Sequence, residues 1–293
     1  MQWSRYRREG VVEWGVWLDE ELFSLESLDD GLNPSQLLTS DPVALLQHLR
    51  RRRSARVCPV AVERIHFLPP TQPQKILCAG LNYRDHARET GAELPSSPTF
   101  FIRFPDTLCG SGEAIPHPVQ SDAMDFEGEL LVVLGQAVHG KLQRHEALAA
   151  VAGYGIFNDI SMRDYQFRTS QWTMGKNFPH SGSCGARVTT TDELPEGANN
   201  LYLRTEVNGD RLQDGNTADL IFDVAALIQT LAEVMPLHPG DLIATGTPAG
   251  VGFARKPPRY LQPGDTIRVE IEGLGVLENP VIPARLDTVE RPA

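Results

Sequence analysis

From Phe126 to Leu134 the chain reads FEGELLVVL, with polar positions two apart followed by an unbroken Val and Leu run, and this pattern predicts a β-strand. Side chains alternate along a strand, so Glu127 and Glu129 share one face and Gly128 leaves the other bare. Short apolar runs in KILCAG and PTFFIRF predict two more strands, and HEALAAVAGYGIF predicts a helix running into a strand. DLIFDVAALIQTLAEVM carries its apolar residues at helical spacing and predicts the clearest amphipathic helix of the chain. DPVALLQHLRRRR predicts a shorter one, opening after Ser40 or Asp41 with Pro42 in its first turn. NYRDHARET begins a helical turn that Gly91 stops. NLYLRTEVNGDRLQDGNT is strand, Asn-Gly turn, strand: a hairpin. LHPGDLIATGTPAGVG and LQPGDTIRVEIEGLGVLENPV each place a strand after a Pro-Gly-Asp turn, and RYRREGVVEWGVWLDEELFSL reads as short strands turning at Gly10 and near Asp19. The sum is a mainly β, α+β protein with few helices.

The proline-rich FLPPTQPQ divides this pattern, which predicts a small N-terminal α+β unit over residues 1–70 and a larger unit over 71–293. The 25 glycines and 22 prolines suit a fold with many turns. A net charge of −11 argues against nucleic acid as a partner. No apolar run reaches the length of a membrane span and the start MQWSRYRREG lacks a signal-peptide core, so the expectation is a cytoplasmic protein with no membrane partner. The four cysteines show no CxxC spacing and read as reduced structural thiols.

Charge patterning adds candidate chemistry. Two glutamates side by side on one strand repel, and burying them without a partner would cost several kcal/mol or force a proton on. Beside a core-like LLVVLG run, a hard divalent cation with oxygen ligands is the natural counter-charge, although two glutamates on a strand also serve simple solubility. His86 and Glu89 are three apart on a predicted helical turn, either a surface pair or a base with its orienting acid. Arg163 and Gln166 share that spacing and could clamp a carboxylate or oxo group, unless Arg163 pairs with Asp164 or another acid. Lys176 sits in the weakly polar WTMGKNF, where it either snorkels to solvent or is buried to steady an oxyanion. Thr247 lies in the glycine-rich TGTPAGVG, whose free N–H groups could cradle a carboxylate. His180 and Cys184 lack an orienting acid and read as loop residues.

Taken in order, NYRDH, DFEGEL, NDISMRDYQ, GKNF, VNGDRLQDG and PGDLIATGTPAGVG resemble the fumarylacetoacetate hydrolase family over roughly residues 73–286. The resemblance implies a twisted β-roll with flanking helices, assembled as a homodimer. It implies a Mg2+ or Mn2+ site on Glu127, Glu129 and Asp159, a catalytic set of His86, Glu89 and Lys176, and substrate binding by Arg163, Gln166 and Thr247. Three carboxylates suit Mg2+ or Mn2+ better than Zn2+. The chain departs from the family pattern at KNFPHSGSCGA and at Arg103, where many members carry lysine; Arg103 is therefore expected at the substrate mouth. The implied activity is hydrolysis of a carbon–carbon bond in a β-diketo acid of the acylpyruvate or fumarylpyruvate type. Isomerisation, decarboxylation or hydration of a 2-oxo acid at the same site is the alternative, and a silent scaffold is a third reading that the intact acids, His86 and Lys176 argue against.

Overall fold

The apolar run around Leu130 is buried along its whole length, and a strand with no wet face needs layers on both sides. In the computed structural model, which describes residues 1–54 and 56–284, the strand Gly128–Leu134 pairs antiparallel with Val151–Asp159 and with Leu242–Ala244. All three belong to a 12-stranded mixed sheet. Beyond Val151–Asp159 come Val188–Thr190, Gln2–Arg8, Val11–Leu18 and Glu21–Ser24. Beyond Leu242–Ala244 come Ile76–Gly80, in parallel, and then Thr99–Arg103 at the edge.

A second, five-stranded sheet is built on the hairpin of Tyr202–Val207 and Asp210–Asn216. It lies against the first where a Cβ on Gly128 would stand 2.3 Å from Thr205 Oγ1 and 3.0 Å from a Val269 methyl. The bare face between the two glutamates is thus the point of close approach between the layers. One apolar core, including Leu130, Val132, Leu203 and Val269, lies between these sheets and under the helix Val224–Val234. A second core joins Leu131, Val133 and Phe157 to Trp3, Val16, Leu18 and Leu49 from the first 70 residues.

The mainly β architecture agrees with the sequence pattern. The first hairpins turn at Glu9–Gly10 and Asp19–Glu20, all four with positive φ, the geometry that matches strand twist. The helix Pro42–Arg52 is capped by Asp41, which accepts from the Ala44 N–H at 2.7 Å, and ends on arginines. Two elements differ from expectation. The long amphipathic helix begins only at Val224, because Asp223 caps it by accepting from the Ala226 N–H. The predicted strand from Phe126 is regular only from Gly128, because side chains intercept its first N–H groups: Asp125 takes that of Phe126 and Asn158 that of Glu127. No helix among the described residues is long and apolar enough to cross a membrane. The last part of the expected C-terminal unit, 285–293, lies outside the described residues.

Candidate active site and metal centre

The register of the two central strands builds the acidic cluster. Gly128 pairs with Asn158 and Glu129 with Phe157, so Asp159 at the end of one strand lies across from Glu127 at the start of the other. One carboxylate oxygen from each of Glu127, Glu129 and Asp159 lies within 4.8 Å of the others, and all three residues are buried. Three cations surround them. Lys176 Nζ is 2.7 Å from Glu127 Oε2 and 2.6 Å from Asp159 Oδ2. Arg103 Nε is 2.5 Å from Asp159 Oδ1. Arg163 reaches Glu127 Oε1 at 2.7 Å and Asp125 Oδ2 at 2.8 Å.

Asp125, Glu127, Glu129 and Asp159 therefore face three positive side chains, and Glu129 is the acid without a cation of its own among the described residues. Among the described residues its one protein donor is the Gly246 N–H at 2.8 Å. Burial, then the neighbouring Asp159 and Glu127, push its carboxyl well above the ordinary glutamate range. Glu127 moves the other way: burial opposes its charge, but Lys176 and Arg163 overcome this and hold it low. Lys176 is 1% exposed; burial disfavours its charge, yet Asp159 and Glu127 raise its pKa and keep the ammonium. A buried carboxylate lacking a counter-charge, beside two more within ligand distance, fits a divalent cation with oxygen ligands. A 2+ ion would turn the local excess of one negative charge into one positive charge, a setting that favours an anionic ligand.

A cavity of about 300 Å3 opens on this cluster, at the small end of ligand pockets. His86, Glu127, Glu129, Arg163, Gln166, Lys176 and Thr247 all line it. His86 is on the helix Arg84–Thr90, which Gly91 ends in a left-handed cap. Its Nδ1 is 3.2 Å from Glu89 Oε2, and Glu89 Oε1 accepts from the Gly250 N–H at 2.9 Å. Glu89 thus ties the imidazole to the glycine-rich loop. Arg163 and Gln166 share one helical turn and touch, with Nη1 donating to Oε1 at 2.8 Å. Asp164 instead accepts from Ser121 at 2.5 Å. Arg163 Nη2 is buried without a protein partner among the described residues.

Two expectations need correction. Arg103 does not stand at the mouth: it is 2% exposed and absent from the cavity lining. Its guanidinium is spent on Asp159, the carbonyls of Ile160 and Ser181, and the Ser181 hydroxyl, so it braces the acidic cluster from behind. Four N–H groups of the glycine-rich loop are engaged within the protein rather than free for substrate: Thr245 serves the Leu130 carbonyl, Gly246 serves Glu129, Gly250 serves Glu89 and Gly252 serves Asp125.

Sequence reasoning missed Asp125, Gln213 and four aromatic rings that line the cavity, Phe101, Phe167, Trp172 and Phe253. Asp125 is buried, anchors Arg163 and accepts from the Gly252 and Phe253 N–H groups at 2.7 and 3.0 Å. Gln213 leaves the second sheet, accepts from the Gly128 N–H at 3.0 Å and donates to Thr247 Oγ1 at 2.7 Å and the Pro248 carbonyl at 2.9 Å. Asp125 adjoins the E-x-E motif, so proximity was a usable signal. Gln213 had none, since its partners are 85 and 34 residues away.

The family model described as fumarylacetoacetate (FAA) hydrolase C-terminal matches residues 75–282. The chain belongs to the fumarylacetoacetate hydrolase family. Among relatives, it is 37% identical over 252 residues to the fumarylacetoacetate hydrolase domain-containing protein 2 homolog of Dictyostelium discoideum, covering 83% of this chain and 80% of that one. It is 38% identical over 243 residues to the human protein named oxaloacetate tautomerase FAHD2A, mitochondrial, covering 82% of this chain and 76% of that one. The solved structure titled fumarylacetoacetate hydrolase from psychrophilic Exiguobacterium antarcticum superposes with a TM-score of 0.81 at 30% identity, over 97% of this chain and all of that one. One titled 5-carboxymethyl-2-hydroxymuconate delta-isomerase, from Mycobacterium smegmatis, gives 0.76 at 28% identity over 97% of this chain and 100% of that one. Family membership and the fold agree with the motif reading, while relatives bearing tautomerase and isomerase names stand beside the hydrolase.

Proposed function

We propose that this family member is a divalent-metal-dependent enzyme that interconverts the enol and keto forms of a 2-oxo acid. The observation that carries this reading is the His86–Glu89 pair, fixed by the Gly250 N–H, with His86 lining the same cavity as Glu127 and Glu129 of the acidic triad. Glu127, Glu129 and Asp159 would hold Mg2+ or Mn2+. The ion would supply polarisation of the 2-oxo group and neutralise charge developing on its oxygen. Glu89 accepts from Nδ1 of His86, which leaves Nε2 as the basic nitrogen. In the enol-to-keto direction His86 Nε2 takes the hydroxyl proton while a water molecule delivers a proton to C3, and His86 then passes its proton to solvent; in the reverse direction water takes the C3 proton and protonated His86 returns one to the oxygen. The carbon skeleton stays whole and no electrons are exchanged. Lys176, kept charged by two acids, holds positive potential beside the oxygen that gains charge. Arg163 Nη2 offers a donor to the substrate carboxylate, with Gln166 and Thr247 beside it.

Hydrolytic carbon–carbon cleavage is the second reading, supported by the likeness to the Exiguobacterium hydrolase and by the capacity of the same dyad to activate water. Product NMR in D2O with Mg2+ separates the two. Tautomerisation incorporates deuterium at C3 and leaves an intact skeleton, whereas cleavage of an acylpyruvate releases pyruvate and a second acid. His86→Gln is expected to slow the exchange at least 100-fold, within the range for loss of a positioned base. Unchanged exchange in that variant would remove His86 from the mechanism.

A further inference from the structure

The cavity has two chemically different ends. Its charged groups are Glu127, Glu129, Arg163 and Lys176, with the base His86, and the rest of the lining includes four aromatic rings, Phe101, Phe167, Trp172 and Phe253. The rings form two runs, each starting from a buried cation. The Arg163 guanidinium lies 4.4 Å from the Phe253 ring, which meets Phe167 edge-on at 5.5 Å. Lys176 Nζ lies 4.8 Å from the Phe101 ring, which meets Trp172 edge-on at 5.6 Å. The first run ends on Phe167, which is 57% exposed. A large ring left half in water where a cavity opens has apolar surface available to a ligand.

Both lysine and arginine side chains of the lining are already committed to Glu127, Asp159 and Asp125 at the inner end. The aromatic end offers no lysine or arginine to a second carboxylate, and a carboxylate placed among ring faces meets their negative side. Resting on the 2-oxo acid reading above, we propose that the group beyond the oxo carbon is apolar and flat. The site then selects aryl-substituted 2-oxo monoacids over 2-oxo dicarboxylates, and Phe167 is a specificity-determining residue.

Binding can be separated from turnover with two 2-oxo acids that have no C3 hydrogen and cannot enolise: benzoylformate, with a phenyl group, and oxomalonate, with a second carboxylate. Calorimetry on the Mg2+-loaded full chain is expected to show benzoylformate binding about tenfold more tightly, from one or two ring–ring contacts. Phe167→Ala is expected to weaken benzoylformate about three- to tenfold relative to oxomalonate, and Phe167→Arg to shift the ratio further toward oxomalonate. Both variants lose the edge-on contact with Phe253, so a small drop in thermal stability is expected, and binding is compared at a temperature where both remain folded. Oxomalonate binding as tightly as benzoylformate, neither acid binding, or a ratio indifferent to both Phe167 variants overturns the proposal. The proton exchange at C3 is a separate reading: lost exchange with the binding preference intact overturns tautomerisation alone, and intact exchange with no preference overturns this inference alone.

Discussion

At the residue scale, Glu129 sets how the centre responds to pH. Its folded-state pKa is raised above the ordinary 4.5, so the native state holds a proton that the unfolded chain releases. The metal-free protein therefore loses stability as pH rises from about 4.5 toward the raised value. Glu127, held low, acts in the opposite sense and only below its ordinary value, where acid removes its ion pairs. The two windows do not overlap. Thermal unfolding against pH without metal is expected to show stability falling above pH 4.5, with the fall abolished by Glu129→Gln and by saturating Mg2+. A flat profile in the parent protein would contradict the assignment. Gln213 is the second residue with a distinct signature. Gln213→Leu leaves the buried Gly128 N–H unpartnered and frees Thr247 and the Pro248 carbonyl. A loss of about 2 kcal/mol in denaturant unfolding is expected from one orphaned buried donor and the lost bonds. A rise in KM larger than the change in kcat should accompany it if Thr247 contacts substrate.

At the scale of elements, the loop after the strand Leu242–Ala244 connects two parts of the chemistry. Gly246 holds Glu129 and Gly250 holds Glu89. Gly250 has φ +106°, and a Cβ there would stand 2.0 Å from the Leu212 carbonyl oxygen, so no other residue fits without moving the loop. Gly250→Ala is expected to cost about 1–3 kcal/mol in unfolding free energy and to lower kcat at least tenfold by releasing Glu89 from its donor. Kinetics and unfolding measured on the same preparation check this. Retained kcat despite lost stability would show that Glu89 needs no such anchor.

Much of this scale was legible in sequence, because local signals act within a few residues: the Asn208–Gly209 turn, the Asp41 cap, the period of Glu127 and Glu129. What was not legible depends on partners far along the chain. Arg103 could not be placed behind Asp159 without knowing that the edge strand meets the end of Val151–Asp159 through Ser181. Gln213 likewise had meaning only once the two sheets were stacked.

At the scale of the molecule, the segment set apart by FLPPTQPQ completes the same sheet and shares a core with it. Trp3, Val16, Leu18 and Leu49 pack with Leu131, Val133 and Phe157, all buried. A chain shortened to 71–293 would expose that face of the strand carrying Glu129. It is expected to be insoluble or to bind hydrophobic dyes, which a soluble-fraction assay and dye fluorescence would reveal. A cooperatively unfolding, metal-binding fragment would show instead that the larger unit stands alone. The pattern of strands and the family were readable from motifs, whereas the joining of the N-terminal strands through Thr189 and Thr190 was not, since nothing local marks that pairing.

The strands that bring the acidic triad together are fifth and sixth in a hydrogen-bonded path of nine. Local opening begins where pairing and burial are weakest, at edges and loops. The aromatic mouth and the helix carrying His86 can therefore breathe while the two central strands stay shut. In amide exchange, Leu130 and Ile156 should accordingly be among the last N–H groups to take up deuterium, trailing those of the helix Arg84–Thr90.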